Sequence, residues 1–379
     1  ANLAGVDLSD KDLTGTILRG MDLSNKDLSD TILRGADLTD ANLAGVDLSD
    51  KDLTGTVLRG VDLSNKDLSD TILREADLTG AVLPSDYLTA KDFEGTIFNG
   101  VDLSGKNMAD ADFEIASFDN TNLKNADLRE ARFLNVDLTK IKNKSLAETD
   151  LRYTVFAYSN LVGLDLNGAK LHRNNFQHAN LAGLDFTVIK NKNNFGSTFN
   201  GADLSNANFD GVNLFEKDEQ GNIVTRTVLI PDWAYKVDQK LAELHKDLYE
   251  LGNYGVFVTK RQAVGNDLVL WTSFLTDFVD ANLANANLSN AVLSYSVFLD
   301  SNLANANLSN AELEHAVFLN ANLANANLSN ADLSNTTIKN TDLTNADLTN
   351  ADLTNADLGD FVILDGTILD CKNHPVCVG

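Results

Sequence analysis

Leu, Phe or Met stands at every fifth position from Leu3 to Leu138, 28 times in succession. A period of five matches neither the 3.6 of a helix nor the 2 of a strand, so either element would scatter these side chains around its axis. One residue in five stays buried only if each five residues turn the chain by a fixed angle, so that all the centres point inward. Four such sides make a square coil of about twenty residues, and the repeat has to be read as an architecture of its own.

The other positions fit that reading. Two before each centre stands a small or β-branched residue (Ala1, Val6, Thr16, Ala36, Val46), which would share the interior and keep it narrow. Between them Asp or Asn (Asn2, Asp7, Asp12) points outward. Ser, Thr or Arg followed by Gly, Asn or Asp makes the corner, where short polar residues and Gly accept turn geometry. Stacked coils would pair at about 4.8 Å, with like residues forming ladders.

A small residue, Asp or Asn, Leu or Phe, then a polar and a small residue is a pattern that resembles the pentapeptide-repeat family. The resemblance implies an all-β solenoid, a right-handed quadrilateral β-helix. It covers most of the chain.

A chain of 379 residues would ordinarily fold as two or three globular domains. A solenoid can be this long because each repeat contacts only its neighbours. The net charge of −25 and pI of about 4.4 argue against direct nucleic-acid binding through phosphates and against an anionic membrane surface. No apolar run reaches the roughly 18 residues of a membrane-spanning helix. The chain opens in phase, without Met and without the shape of a signal peptide, as a processed or trimmed chain would. The only cysteines, Cys371 and Cys377, read as a disulfide, as free thiols, or with His374 as an incomplete metal site. A reduced pair favours the cytoplasm; a disulfide favours a periplasmic or secreted setting.

Residues 1–40 and 41–80 agree at 36 of 40 positions, so the unit of duplication is two coils. Lys11, Lys26, Lys51, Lys66, Lys91 and Lys106 fall on the inward position. A buried unpaired ammonium costs several kcal/mol, so these stems are expected to leave at a corner and meet neighbouring Asp side chains. The phase breaks near 139–148 and 187–196, each time beside an Ile-Lys-Asn-Lys run, Ile141–Lys144 and Ile189–Lys192. The two runs are expected to form similar loops on one face, with Lys142, Lys144, Lys190 and Lys192 as basic contact points or simply solvated tips.

The expected organisation is therefore a β-helix over 1–215, a small α+β insertion over 216–265, a second β-helix over 266–370 and a cap with the Cys pair over 371–379. Within the insertion, Ile223–Val228 after a turn at 219–222 reads as a hairpin or a loop-strand unit, and Tyr254–Thr259 as a short strand. Pro231 opens a helix whose apolar residues Trp233, Val237, Leu241, Leu244, Leu248 and Leu251 lie on one stripe. That stripe is expected to pack on the solenoid or cap an open coil end, or else to mediate self-association or recruit a partner. The fives resume at Leu268 or Phe278.

No phosphate loop, zinc-protease motif or nucleophile elbow occurs, and the five His residues are scattered, so neither an enzyme nor a cofactor is expected. The reading that remains is a rigid scaffold binding a protein partner through a rod face, the basic loops or the insertion. The alternative is a DNA mimic that binds a topoisomerase such as DNA gyrase, which the family resemblance implies. About 15 coils would span roughly 70 Å, or about one charge per 3 Å against about 1.7 Å in B-DNA, so the mimicry would be moderate.

Overall fold

The computed structural model describes residues 6–192, 196–214, 226–230, 258–264, 267–272 and 278–378. They belong to two compact units, Ala1–Lys190 and Asn191–Gly379.

In the first unit every five residues make one side of a coil. The residue before each centre bridges in parallel to its equivalent twenty residues on, as in Asp12 with Ile32 and Ile32's amide to the Lys11 carbonyl at 3.0 Å. The chain then turns. In the turn after Leu13 the Thr16 amide donates to the Leu13 carbonyl at 3.0 Å, and the residue between, Gly15, has φ 63°. That left-handed requirement is why Gly, Asn and Asp fill the fifth position. The outward Asp completes the turn: Asp12 Oδ1 accepts the Thr14 amide at 2.9 Å, and Asn42 serves Ala44 in the same way. Thus the motif's acidic residue is primarily a turn cap.

Four sides result. Side 1 carries the centres Leu8, Leu28, Leu48, Leu68, Leu88, Met108, Leu128, Leu151 and Leu171. Side 2 runs from Leu13 to Phe176, side 3 from Leu18 to Leu181, and side 4 from Leu23 to Phe186. The interior is a column of these side chains, with Phe93, Phe98, Phe113 and Phe133 fully buried. Rings stack from coil to coil: Phe93 on Phe113 at 5.4 Å and Phe156 on Phe176 at 5.5 Å. Each such residue contributes about 1.5–3 kcal/mol by burial. Inward Thr hydroxyls are satisfied by the preceding coil, as in Thr56 to the Leu33 carbonyl at 2.9 Å.

The second unit repeats this plan. Asp203 bridges Asn282 and Phe199 stacks on Phe278 at 5.3 Å, so the coil that leaves at Leu214 is rejoined at Phe278. Strands β1 (Arg226–Ile230), β2 (Val258–Val264) and β3 (Asp267–Thr272) form an antiparallel sheet in the order β1-β3-β2. Asp267–Thr272 belongs to that sheet, so the later of the two expected resumption points, Phe278, is the one that stacks into the solenoid. Strand β1 pairs antiparallel with β3, Arg226 opposite Thr272 and Ile230 opposite Leu268. The expected helix, with Trp233, Val237, Leu241, Leu244 and Leu248, lies outside the described residues. Beyond Phe278, β4 (Val297–Leu299), β5 (Val317–Leu319), β6 (Thr337–Lys339) and β7 (Asp357–Leu358) form one parallel sheet along a side. On another side outward Asn residues make amide ladders: Asn302 donates to Asn282 and Asn322 to Asn302, at 3.1 and 3.2 Å. Cys371 and Cys377 form a disulfide, with Cα atoms 5.0 Å apart. Among the described residues no helix is long and apolar enough to cross a membrane.

Candidate interaction surfaces

Because the interior of the described coils is filled, what these coils offer to a partner lies on their outward lattice. Its charge is uneven. Residues 121–192 hold 11 basic and 7 acidic residues, 11 − 7 = +4, whereas the whole chain is −25.

The basic loops contribute to this band, at different corners. Lys142–Lys144 form a 3-10 turn at the start of side 4, where the Lys142 amide donates to the Thr121 carbonyl at 2.8 Å. The Lys190 amide donates instead to Ala169 at 2.9 Å, which places it at the start of side 1. The expectation of one shared face is therefore corrected. The first loop lengthens its coil to 23 residues, as the Asp127–Asp150 bridge shows, so the second loop is reached at a different side. Lys142, Lys144 and Lys192 are exposed, and Lys190 pairs with Glu148 at 2.5 Å.

The inward lysines also depart from expectation. The ammonium groups of Lys26, Lys66, Lys91 and Lys106 meet backbone carbonyls of the preceding coil rather than Asp carboxylates. Lys66 Nζ donates to Leu43 and Val46 at 2.6 and 2.7 Å, Lys106 to Leu83 and Pro84 at 3.0 Å, and Lys91 to Thr71 at 3.0 Å and to Ser69. A lysine stem starting on an inward position reaches the neighbouring strand edge before it reaches an outward carboxylate. Burial pushes the Lys66 and Lys91 ammoniums below their usual range; Asp47 and Asp62 oppose this at Lys66, and Asp70 and Asp67 at Lys91.

Lysine carbonyl contacts occur where the strand ladder is open. Among the described residues, Asp7, Asp27, Asp47 and Asp67 on side 1 make no bridge to another coil, although the same coils are bridged on other sides. Sides 2 and 3 alternate Asp with Ile or Val, and a corner Arg on the preceding coil reaches each Asp: Arg34 to Asp52 at 2.7 Å, Arg59 to Asp77 at 2.6 Å. Side 1 stacks four carboxylates with no such spacer. At about 5 Å each pair repels by roughly 1–3 kcal/mol for effective dielectric constants of 80 to 20. A cavity of about 500 Å³ lined by Ala41–Leu48, Asp62 and Asn65–Asp67 lies against this opening.

Further along, Asp150 is the anchor of the basic band. Burial alone would raise its pKa, but hydrogen bonds from Arg152 at 2.7–2.8 Å and Lys170 at 3.1 Å hold it at about 2. With the folded value below the ordinary 3.8, its stabilisation is complete above about pH 4 and is lost as pH falls through about 2. Asp150→Asn is expected to flatten the acid limb of a urea-midpoint titration by about 1 kcal/mol after solvent screening.

Several corners of this region depart from Gly, Asn or Asp: Glu130, Glu148, Tyr153, Tyr158, Arg173 and His178 all have φ between 52° and 64°. Tyr153 and Tyr158 occupy left-handed positions at φ 64° and 60°, where a bulky side chain is strained, and are 42% and 57% exposed. Tyr153 packs edge-on to His172 at 5.3 Å and Tyr158 stacks on His178 at 4.8 Å, so the two histidines lie at opposite edges of side 2. Sequence reasoning passed over both tyrosines. Their signal was available: large aromatic residues in the slot that Gly, Asn or Asp fills most often. Among the described residues no three His, Cys, Asp or Glu side chains converge as a metal site.

The repeat is also recognised at family level. The pattern "Pentapeptide repeats (8 copies)" matches seven stretches between residues 1 and 214, and "Pentapeptide repeat region" matches 275–348. The chain belongs to the pentapeptide-repeat family. No curated protein matches this pentapeptide-repeat chain in sequence. Among solved structures it is similar to HetL of Nostoc sp. strain PCC 7120, a pentapeptide-repeat protein involved in heterocyst differentiation regulation. They share 21% identity over 97% of this chain and 93% of that one, with a TM-score of 0.24. A thylakoid-lumen pentapeptide-repeat protein of Arabidopsis thaliana is 30% identical over 25% of this chain and 69% of its own, with a TM-score of 0.22. The plasmid-mediated fluoroquinolone resistance protein QnrB1 is 15% identical over 79% and 91%, with a TM-score of 0.21. The family assignment rests on the repeat itself.

Proposed function

We propose that this pentapeptide-repeat protein is a non-enzymatic scaffold that docks a protein partner on side 2 around Tyr153 and Tyr158. The observation that supports this is their placement. A left-handed backbone costs a non-Gly residue about 1–2 kcal/mol, the rings bury little within the chain, and exposed Tyr beside Arg and His is the composition of a contact centre. Local rules broken without an internal gain mark functional positions. The test replaces Tyr153 and Tyr158 by Asn, the residue the turn prefers. Thermal stability is expected to hold or rise slightly while affinity capture of the partner falls at least tenfold. A second protein, with 216–265 replaced by a short linker, is expected to retain capture. Loss of capture from that protein alone would move the site to the insertion.

A DNA-mimic reading is supported by one feature. Over four coils Asp7, Asp27, Asp47 and Asp67 run beside Asp10, Asp30, Asp50 and Asp70, two carboxylates per rise of about 4.8 Å, or one per about 2.4 Å against about 1.7 Å in a duplex. The row ends after four coils, and the band at 121–192 reverses the sign. Salt-sensitive inhibition of gyrase supercoiling would favour this reading; no inhibition at low salt would remove it.

A further inference from the structure

Side 1 of the first unit is charged with opposite signs at its two ends. In the first four coils its outward residues are Asp7, Asp27, Asp47 and Asp67, all exposed. Ser9 holds Asp7 below the usual carboxylate range through its hydroxyl and amide, and Ser29, Ser49 and Ser69 do the same for the next three, so the row stays ionised. The next two coils present Tyr87, 49% exposed, and Asn107, also exposed. The last four present Arg129, Arg152, Lys170 and Lys190, whose side chains remain 43%, 38%, 42% and 52% accessible. Two of those coils also carry an outward carboxylate, Asp127 and Asp150, and Glu148 at the adjoining corner pairs with Lys190, so this end has four positive and three negative groups. At the other end Lys26 and Lys66 offset part of the row, with their ammoniums turned to backbone carbonyls.

The geometry points to side 1 as a contact with a second copy of this chain, laid antiparallel about a two-fold axis between the Tyr87 and Asn107 coils. Ten coils in the order four acidic, two neutral, four basic are self-complementary under that operation. Asp67 meets the Arg129 coil, Asp47 meets Arg152, Asp27 meets Lys170 and Asp7 meets Lys190, and each pair occurs twice. The Lys142–Lys144 turn opens side 4 and leaves side 1 clear. Nine steps of about 4.8 Å and a side about three extended residues wide give roughly 43 by 10 Å. The area removed from water is then roughly 860 Å² in total, below the 1,200 Å² or so of a standard interface. Such a dimer is weak, dominated by charge and sensitive to salt. This inference goes beyond the docking of a different protein on side 2 and stands or falls separately from it.

Sedimentation velocity of the full chain tests it. At about 200 µM in about 50 mM salt the protein is expected to shift toward twice its 41.0 kDa, and at about 500 mM salt the association constant is expected to fall at least tenfold. Arg152→Glu with Lys170→Glu makes both ends acidic and is expected to give a monomer; Asp27→Lys with Asp47→Lys cancels the charge of the acidic row, sets Lys against Lys170 and Arg152, and is expected to do the same. An equimolar mixture of these two proteins is expected to recover the dimer, which also shows that both are folded. A native chain that stays monomeric, a dimer indifferent to both double substitutions, a mixture that stays monomeric, or growth into head-to-tail chains would each overturn it.

Discussion

Leu63→Asp is expected to unfold the coils on either side of it, while Asp62→Asn next door is expected to be nearly silent. Leu63 is completely buried on side 4. A carboxylate there loses the burial of a Leu side chain, leaves a void and faces apolar neighbours without a partner, which together amount to roughly 5 kcal/mol or more. Asp62 is exposed and its essential contact is Oδ1 accepting the Ser64 amide at 2.9 Å, an acceptor that Asn retains. The equivalent residue one coil back is already Asn42. In a solenoid, stability is a sum of repeats and nearest-neighbour interfaces, so the damage is local. Amide hydrogen exchange is expected to show lost protection over about 41–85 with protection over 110–140 kept. Equal tolerance of both substitutions would mean that the inward and outward assignments are wrong.

Phe113→Ala is expected to cost about 3–5 kcal/mol, the upper range for a buried aromatic truncation. Phe113 is fully buried and touches rings above, below and beside it: Phe93 at 5.4 Å, Phe133 at 4.8 Å, and Phe98 and Phe118 at 5.8 and 5.4 Å. The neighbouring rings cannot close the gap, because each is held by its own coil at the ladder spacing. Denaturant unfolding of the first unit is expected to start at this coil. Phe113→Leu, the residue that the first four coils carry at this position, is expected to recover more than half of the loss. A stability change below about 1 kcal/mol for Phe113→Ala would mean that the aromatic column does not carry its share of the interior.

The sequence alone determined which residues are inside, the four sides, the corners and the two phase breaks, because a strict period of five leaves a single way to bury every centre. It also exposed the anomaly of the inward lysines without resolving it. Where Lys66 and Lys91 direct their ammoniums was settled by the distance from an inward Cα to the next strand's carbonyls, a quantity with no trace in residue identity. Likewise, Arg129, Arg152 and Lys170 stand far apart in the chain, and the 23-residue coil shifts their alignment. Only stacking shows that they share a side with Asp7, Asp27, Asp47 and Asp67. Period is a property of neighbours along the chain and can be read there; the charge of a face is a property of neighbours between coils, and it exists only once the coils are stacked.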